Sequence, residues 1–87
     1  MVNELGNLRK KINRFDNQLI KILEKRFKVC EKIGKYKLKN KILILDKKRE
    51  KEIIKNSCKK TNLSQDFIKK LFNLVLKESK KLQKNLK

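Results

Sequence analysis

The sequence predicts an all-α protein: three helices per chain, with a first helix long enough to call for a covering partner. Three observations predict this. The 87 residues contain no proline and only two glycines, so little interrupts helical backbone. Apolar residues recur at alternating steps of three and four, the helical period, and no stretch shows the period of two that a strand requires. The first such run is also too long for a chain of this size to cover alone.

The first helix spans about residues 5–36. Leu5, Leu8, Ile12, Phe15, Leu19 and Ile22, then Val29, Ile33 and Tyr36, form a heptad seam with one gap. A helix of about 32 residues is about 48 Å long at 1.5 Å per residue. Such a seam needs either a long helical hairpin or, in preference, a dimer. Gly34 is the natural weak point near its end. The segment YKLKNKILIL, residues 36–45, reads as a linker, with Asn40 in a turn and Ile42–Leu45 as a short apolar plug. Asp46 is a good N-cap for a second helix over about 46–59, anchored by Ile53 and Ile54. KKTNLSQ is the next loop. Ser64 caps a third helix over about 64–85, with Leu63 and Ile68 spaced as a hydrophobic staple. Phe67, Ile68, Leu71, Phe72, Val75, Leu76 and Leu82 carry that helix. With no repeat and no second pattern, residues 1–87 read as a single domain.

The formal net charge is +18 and the pI about 10.2. That charge favours an anionic partner: nucleic acid, an anionic membrane surface or a small polyanionic metabolite. Much of the lysine, alongside abundant Ile and Asn, reads as compositional bias. The four arginines, Arg9, Arg14, Arg26 and Arg49, are the more informative cations, because a guanidinium fork holds a carboxylate or phosphate two-handed. The absence of His removes the usual general base and the commonest zinc ligand. Cys30 and Cys58 are too few and too far apart for a metal site and read as inert thiols of a reducing cytoplasm. No metal and no cofactor is expected. No apolar run reaches transmembrane length, and the start MVNELGNLRKK has no signal-peptide core, so a soluble cytoplasmic protein is expected.

Several polar residues fall where the helical pattern calls for apolar ones. Arg26 fills the gap in the seam. It is either half of a buried ion pair, a register-setting residue, or a receptor for a carboxylate or phosphate. Lys37 lies eleven residues on, close to three turns and about 16 Å along the same face. Alone it would be solvated surface. Asp46, Arg49, Glu50 and Ile53 fall at i, i+3, i+4 and i+7, with Ile53 toward the core, so Arg49 and Glu50 lie beside the buried edge. They are either a capped surface pair or part of a site. Ser79 and Gln83 continue the stripe of Phe72, Val75 and Leu76, either as a fraying helix end or as hydrogen-bonding site groups.

The blocks LRKKINRFDNQLIKILEKR, GKYK (34–37), DKKRE (46–50) and LF.LVLKES...Q (71–83) together resemble the all-helical chorismate mutases, from Leu8 to Gln83. The resemblance implies a homodimer whose long first helices intertwine, with each active site shared between subunits. It makes Lys37, Gln83, Arg26 and Glu50 the catalytic candidates. Arg9 of the partner subunit and Arg26 would grip the two carboxylates of chorismate, and Lys37 and Gln83 would hydrogen-bond its ether oxygen. Glu50 would hold the ring hydroxyl, helped by the backbone near Asp46, and Arg49 and Ser79 would complete the carboxylate side. Lys47 and Lys48 would be solvated. Arg9 and Arg26 lie 17 residues apart, about 26 Å along one straight helix, so they meet one small dianion only from different chains.

The implied reaction is the pericyclic (Claisen) rearrangement of chorismate to prephenate in phenylalanine and tyrosine biosynthesis. It needs no nucleophile, metal or proton relay, which suits a chain without His. Some positions depart from the family. Lys80 stands where relatives often carry an apolar residue, Phe27 replaces a commonly polar neighbour of Arg26, the loop near Lys59–Ser64 is shorter than in some relatives, and lysine is in general excess. With no dehydratase, dehydrogenase or regulatory domain in the sequence, a monofunctional enzyme is expected. Rival readings are an isochorismate-pyruvate lyase of the same fold and a small basic nucleic-acid-binding helical protein. Only the charge supports the latter, since the lysines are spread along the chain. A coiled-coil interaction module would leave Arg26, Ser79 and Gln83 unexplained. No specific nucleic acid and no membrane is expected as a partner.

Overall fold

A computed structural model describes residues 3–85; the outermost residues of the 1–87 domain, and the first two of the amino-terminal segment inspected for a leader, lie outside that range. Three helices follow in order: α1 (Glu4–Lys39), α2 (Lys47–Lys59) and α3 (Gln65–Lys84). Each begins at a side-chain cap. The Asn3 side chain accepts from the Gly6 N–H at 2.9 Å, Asp46 from the Arg49 N–H at 3.0 Å, and Ser64 from the Phe67 N–H at 3.3 Å. Such caps satisfy amide donors that the first helical turn leaves without partners. The second and third helices therefore start where the sequence places them.

The first helix runs further than expected. YKLK is its last turn, and the linker begins only at Asn40. Nothing in YKLK breaks a helix, and Asn40 closes it. Its backbone N–H and its side-chain Nδ2 both donate to the Tyr36 carbonyl, at 3.0 and 2.8 Å. Lys37 and Lys39 in the last turn complement the negative end of the helix dipole. The chain then turns at Lys41, whose φ of 55° is left-handed. Gly34 is no weak point: the helix passes through it and buries it.

Both α1 and α2 pack against α3, and among the described residues they do not pack against each other. The molecule is long and thin, 63 × 27 × 15 Å. α1 meets α3 along Leu23, Phe27, Cys30 and Gly34, which are buried or half-buried. That face is rotated from the heptad seam. The seam itself is bare: Leu5, Ile12, Phe15, Leu19 and Ile22 are all 55–59% exposed. The third helix buries Ile68, Val75 and Leu76, but Phe67, expected in the core, is exposed. Leu63 is exposed too, although it lines one surface hollow with Ile68 and Phe72, as a staple pair should.

Candidate active site

Because α3 holds α1 and α2 apart, a cavity of about 520 Å³ remains between them. That size suits a small metabolite. Each helix supplies one face by the same arithmetic. From α1 come Arg26, Cys30, Ile33 and Lys37, at i, i+4, i+7 and i+11. From the cap and first turns of α2 come Asp46, Arg49, Glu50 and Ile53. From α3 come Leu76, Ser79, Lys80 and Gln83, again at i, i+3, i+4 and i+7. Val29 and Ile44 complete the apolar wall.

Arg26 pairs with no carboxylate among the described residues. Its Nη1 donates to Ser79 Oγ at 2.8 Å and lies 3.4 Å from Cys30 Sγ. The Ser79 hydroxyl in turn donates to the Val75 carbonyl at 2.8 Å. The guanidinium is thus oriented by neutral groups while its charge stays uncompensated, so the buried ion pair considered for it does not form. A half-buried cation in that state is costly unless an anion joins it. Lys37 Nζ donates to the Ile44 carbonyl at 3.1 Å, which ties the end of α1 to the linker and holds the ammonium at the cavity.

Ser79 and Gln83 are buried, at 4% and 9% exposure, so this end of α3 is no frayed terminus. Gln83 Oε1 has no hydrogen-bond partner. Leaving a buried acceptor unpaired costs about 1–3 kcal/mol. The Asp46 carboxylate is committed to capping Arg49, so what it offers a ligand is the amide-rich start of α2. Glu50 is half-buried and faces the cavity as expected. Arg49 turns further out than expected: its side chain is 62% exposed and lies 3.7 Å from Glu52, although it still borders the cavity. Lys47 and Lys48 are exposed. Arg9 does not line the cavity; it lies on the far half of the same unbroken helix, about 26 Å from Arg26.

Seven candidate residues from three separated segments therefore meet in one cavity, and the eighth is held away from it by a straight helix. A family model described as "Chorismate mutase type II" matches residues 8–84. The chain belongs to this family. It is 32% identical to the chorismate mutase of Methanocaldococcus jannaschii, over 97% of this chain and 88% of that protein. It is 39% identical to the bifunctional chorismate mutase/prephenate dehydratase of Buchnera aphidicola subsp. Schizaphis graminum, over 97% of this chain but 23% of that protein. The chain thus spans about a quarter of the length of that bifunctional relative. Among solved structures it resembles a conserved hypothetical protein from Pyrococcus furiosus, with a TM-score of 0.79 and 32% identity, over 95% of this chain and 99% of that one.

Sequence reasoning missed one polar neighbour and the partner of another. Cys30, read as an inert thiol, lies 3.4 Å from both Arg26 and Ser79 and shapes the clamp. Lys80 makes an ion pair with Glu50. The second had a signal: Lys80 falls four residues after Leu76 and three before Gln83, on the cavity face of α3. The pairing itself joins residues 30 apart in sequence and has no local signature. Among the described residues, no helix is long and apolar enough to cross a membrane.

Proposed function

We propose that this chain converts chorismate to prephenate, as a homodimer whose two active sites each take Arg9 from the partner subunit. The observation that carries this reading is the convergence of Arg26, Lys37, Asp46, Arg49, Glu50, Ser79 and Gln83 on one cavity. Four cationic side chains line it against two carboxylates, counting Arg26, Lys37, Arg49 and Lys80 against Asp46 and Glu50. The surplus of positive charge matches a dianionic substrate.

The chemistry asks for shape and charge. The enolpyruvyl arm must fold over the ring before the C–O bond breaks and the new C–C bond forms. Gripping a carboxylate at each end imposes that fold and removes the entropy cost from the barrier. Arg26, oriented by Ser79, takes one carboxylate, and Arg9 of the partner subunit takes the other. Negative charge grows on the ether oxygen as its bond to the ring lengthens. Lys37 and the amide of Gln83 donate to it, and each such donor contributes roughly 2–4 kcal/mol of barrier lowering. Glu50 accepts from the ring hydroxyl and fixes the ring. No proton changes hands, so the reaction needs no cofactor and no histidine. The bare seam of α1 and the outlying Arg9 support the dimer. The two free thiols, Cys30 and Cys58, support a reducing cytoplasmic location.

Chorismate consumption by the purified chain, with Arg26→Ala and Arg9→Ala beside it, tests this reading. Each variant is expected to lose about 10²-fold or more in kcat/KM. Mixed one to one, they should recover about a quarter of wild-type activity, because half the dimers are hybrids with one intact site each. Failure to complement would remove the shared site. Release of pyruvate from isochorismate, with chorismate untouched, would move the assignment to the lyase.

A further inference from the structure

Among the described residues, the Glu50–Lys80 pair is the one cavity contact that joins α2 to α3 by charge. Lys80 Nζ lies 3.3 Å from Oε2 and 3.4 Å from Oε1 of Glu50, astride both oxygens. Neither side chain is free in solvent; they are 31% and 25% exposed. Among the described residues Glu50 forms no other ion pair. Arg26 and Lys37 of α1, and Asp46 and Arg49 beside it, border the same cavity without bonding to its carboxylate.

Lys80 also has somewhere else to go. It stands in a stripe with Lys77, Lys81 and Lys84 around an adjoining surface hollow. Like charges three and four residues apart on a helix repel, so those lysines disfavour an outward Lys80, while Glu50 draws it in. The result is a carboxylate held by one ammonium at the wall of a cavity built for a dianion. Unpaired, Glu50 would repel that dianion and would sample several rotamers. Paired, it is neutralised and fixed, and its oxygens keep lone pairs for a further donor.

We propose that Lys80 is a positioning residue for substrate affinity: it locks the Glu50 carboxylate in place to accept from the substrate's ring hydroxyl. This rests on the chorismate reading above. The ring hydroxyl takes no part in bond making or breaking, so its hydrogen bond is equally strong in the ground and transition states. Losing such uniform binding raises KM and leaves kcat nearly unchanged.

The test is a double-mutant cycle of Lys80→Met and Glu50→Gln, with Lys80→Arg as the conservative variant and melting temperatures as the folding control. Lys80→Met should raise KM about tenfold with kcat within about twofold, and Lys80→Arg should stay within about threefold of wild type in KM. In the Glu50→Gln background Lys80→Met should add almost nothing, since its partner is already gone. An unchanged or lowered KM in Lys80→Met, with the wild type active, would overturn the inference and leave the mutase reading standing. A full KM penalty that persists without Glu50 would also overturn it, because Lys80 would then touch the substrate itself. If the wild type turns over neither chorismate nor isochorismate, the inference falls with the reading beneath it.

Discussion

The two halves of α1 carry one heptad seam, interrupted at Arg26, and meet different fates. In the second half, Val29 and Ile33 of the seam line the cavity, while the neighbouring face of Leu23, Phe27, Cys30 and Gly34 packs on α3. In the first half, from Leu5 to Ile22, the seam is exposed and lines no cavity with the other helices. The difference separates what one subunit completes from what it leaves open. Seven of the eight candidate site residues gather around the completed half: Arg26 and Lys37 on α1 itself, and five more on α3 and on α2 with its cap. The open half holds the eighth, Arg9. A stripe of this length at the helix-packing period is what a second helix covers, and burying each such side chain contributes about 1.5–3 kcal/mol.

The sharpest way to break this contrast is to charge the open seam. We expect Phe15→Asp to abolish the dimer and to lower activity about 10³-fold or more at micromolar chain concentration, since an unpaired carboxylate buried between helices costs several kcal/mol. Asn17→Asp puts the same charge on the opposite face of the helix and should leave both the sedimentation coefficient and the rate close to wild type. Equal damage from both variants would show that the seam is not the interface. In the cavity beside the completed half, Gln83→Leu should lower kcat about 10²-fold, the loss typical of a single donor to developing negative charge, with the dimer intact. A change in KM alone would instead make Gln83 a ground-state contact.

These regions also differ in how far their sequence could be read. Helix positions, the Asp46 and Ser64 caps and the cavity face of each helix follow from contacts within one or two turns, so spacing alone reveals them. Arg26, Ser79 and Gln83 were visible because each is polar on an apolar stripe. What spacing could not reveal depends on which helix packs on which. The Arg26–Ser79 and Cys30–Ser79 contacts and the Glu50–Lys80 pair each cross 30 or more residues. The same ignorance explains two misreadings. Phe67 belongs to the apolar period of α3 yet faces outward, because α1 and α2 cover other parts of that helix. By propensity Gly34 is the weak point of α1, but tertiary contact outweighs the roughly 1 kcal/mol that glycine costs in a helix.

The smallest expected effect isolates the site from the scaffold most cleanly. Asp46 and Ser64 do the same local work, each accepting the N–H three residues on, at 3.0 and 3.3 Å. Replacing either by Ala should cost about 1 kcal/mol of stability. Their surroundings differ: Asp46 borders the cavity and opens the turn that carries Arg49 and Glu50, whereas Ser64 lies outside the cavity lining at the start of α3. Ser64→Ala should therefore lower the melting temperature by a few degrees with kcat/KM unchanged within about twofold. Asp46→Ala should show the same thermal shift and, in addition, lose about tenfold in kcat/KM, because a frayed first turn misplaces the two side chains it presents. If the two variants lost activity equally, the start of α2 would be scaffold alone, and the backbone near Asp46 would have no part in holding substrate.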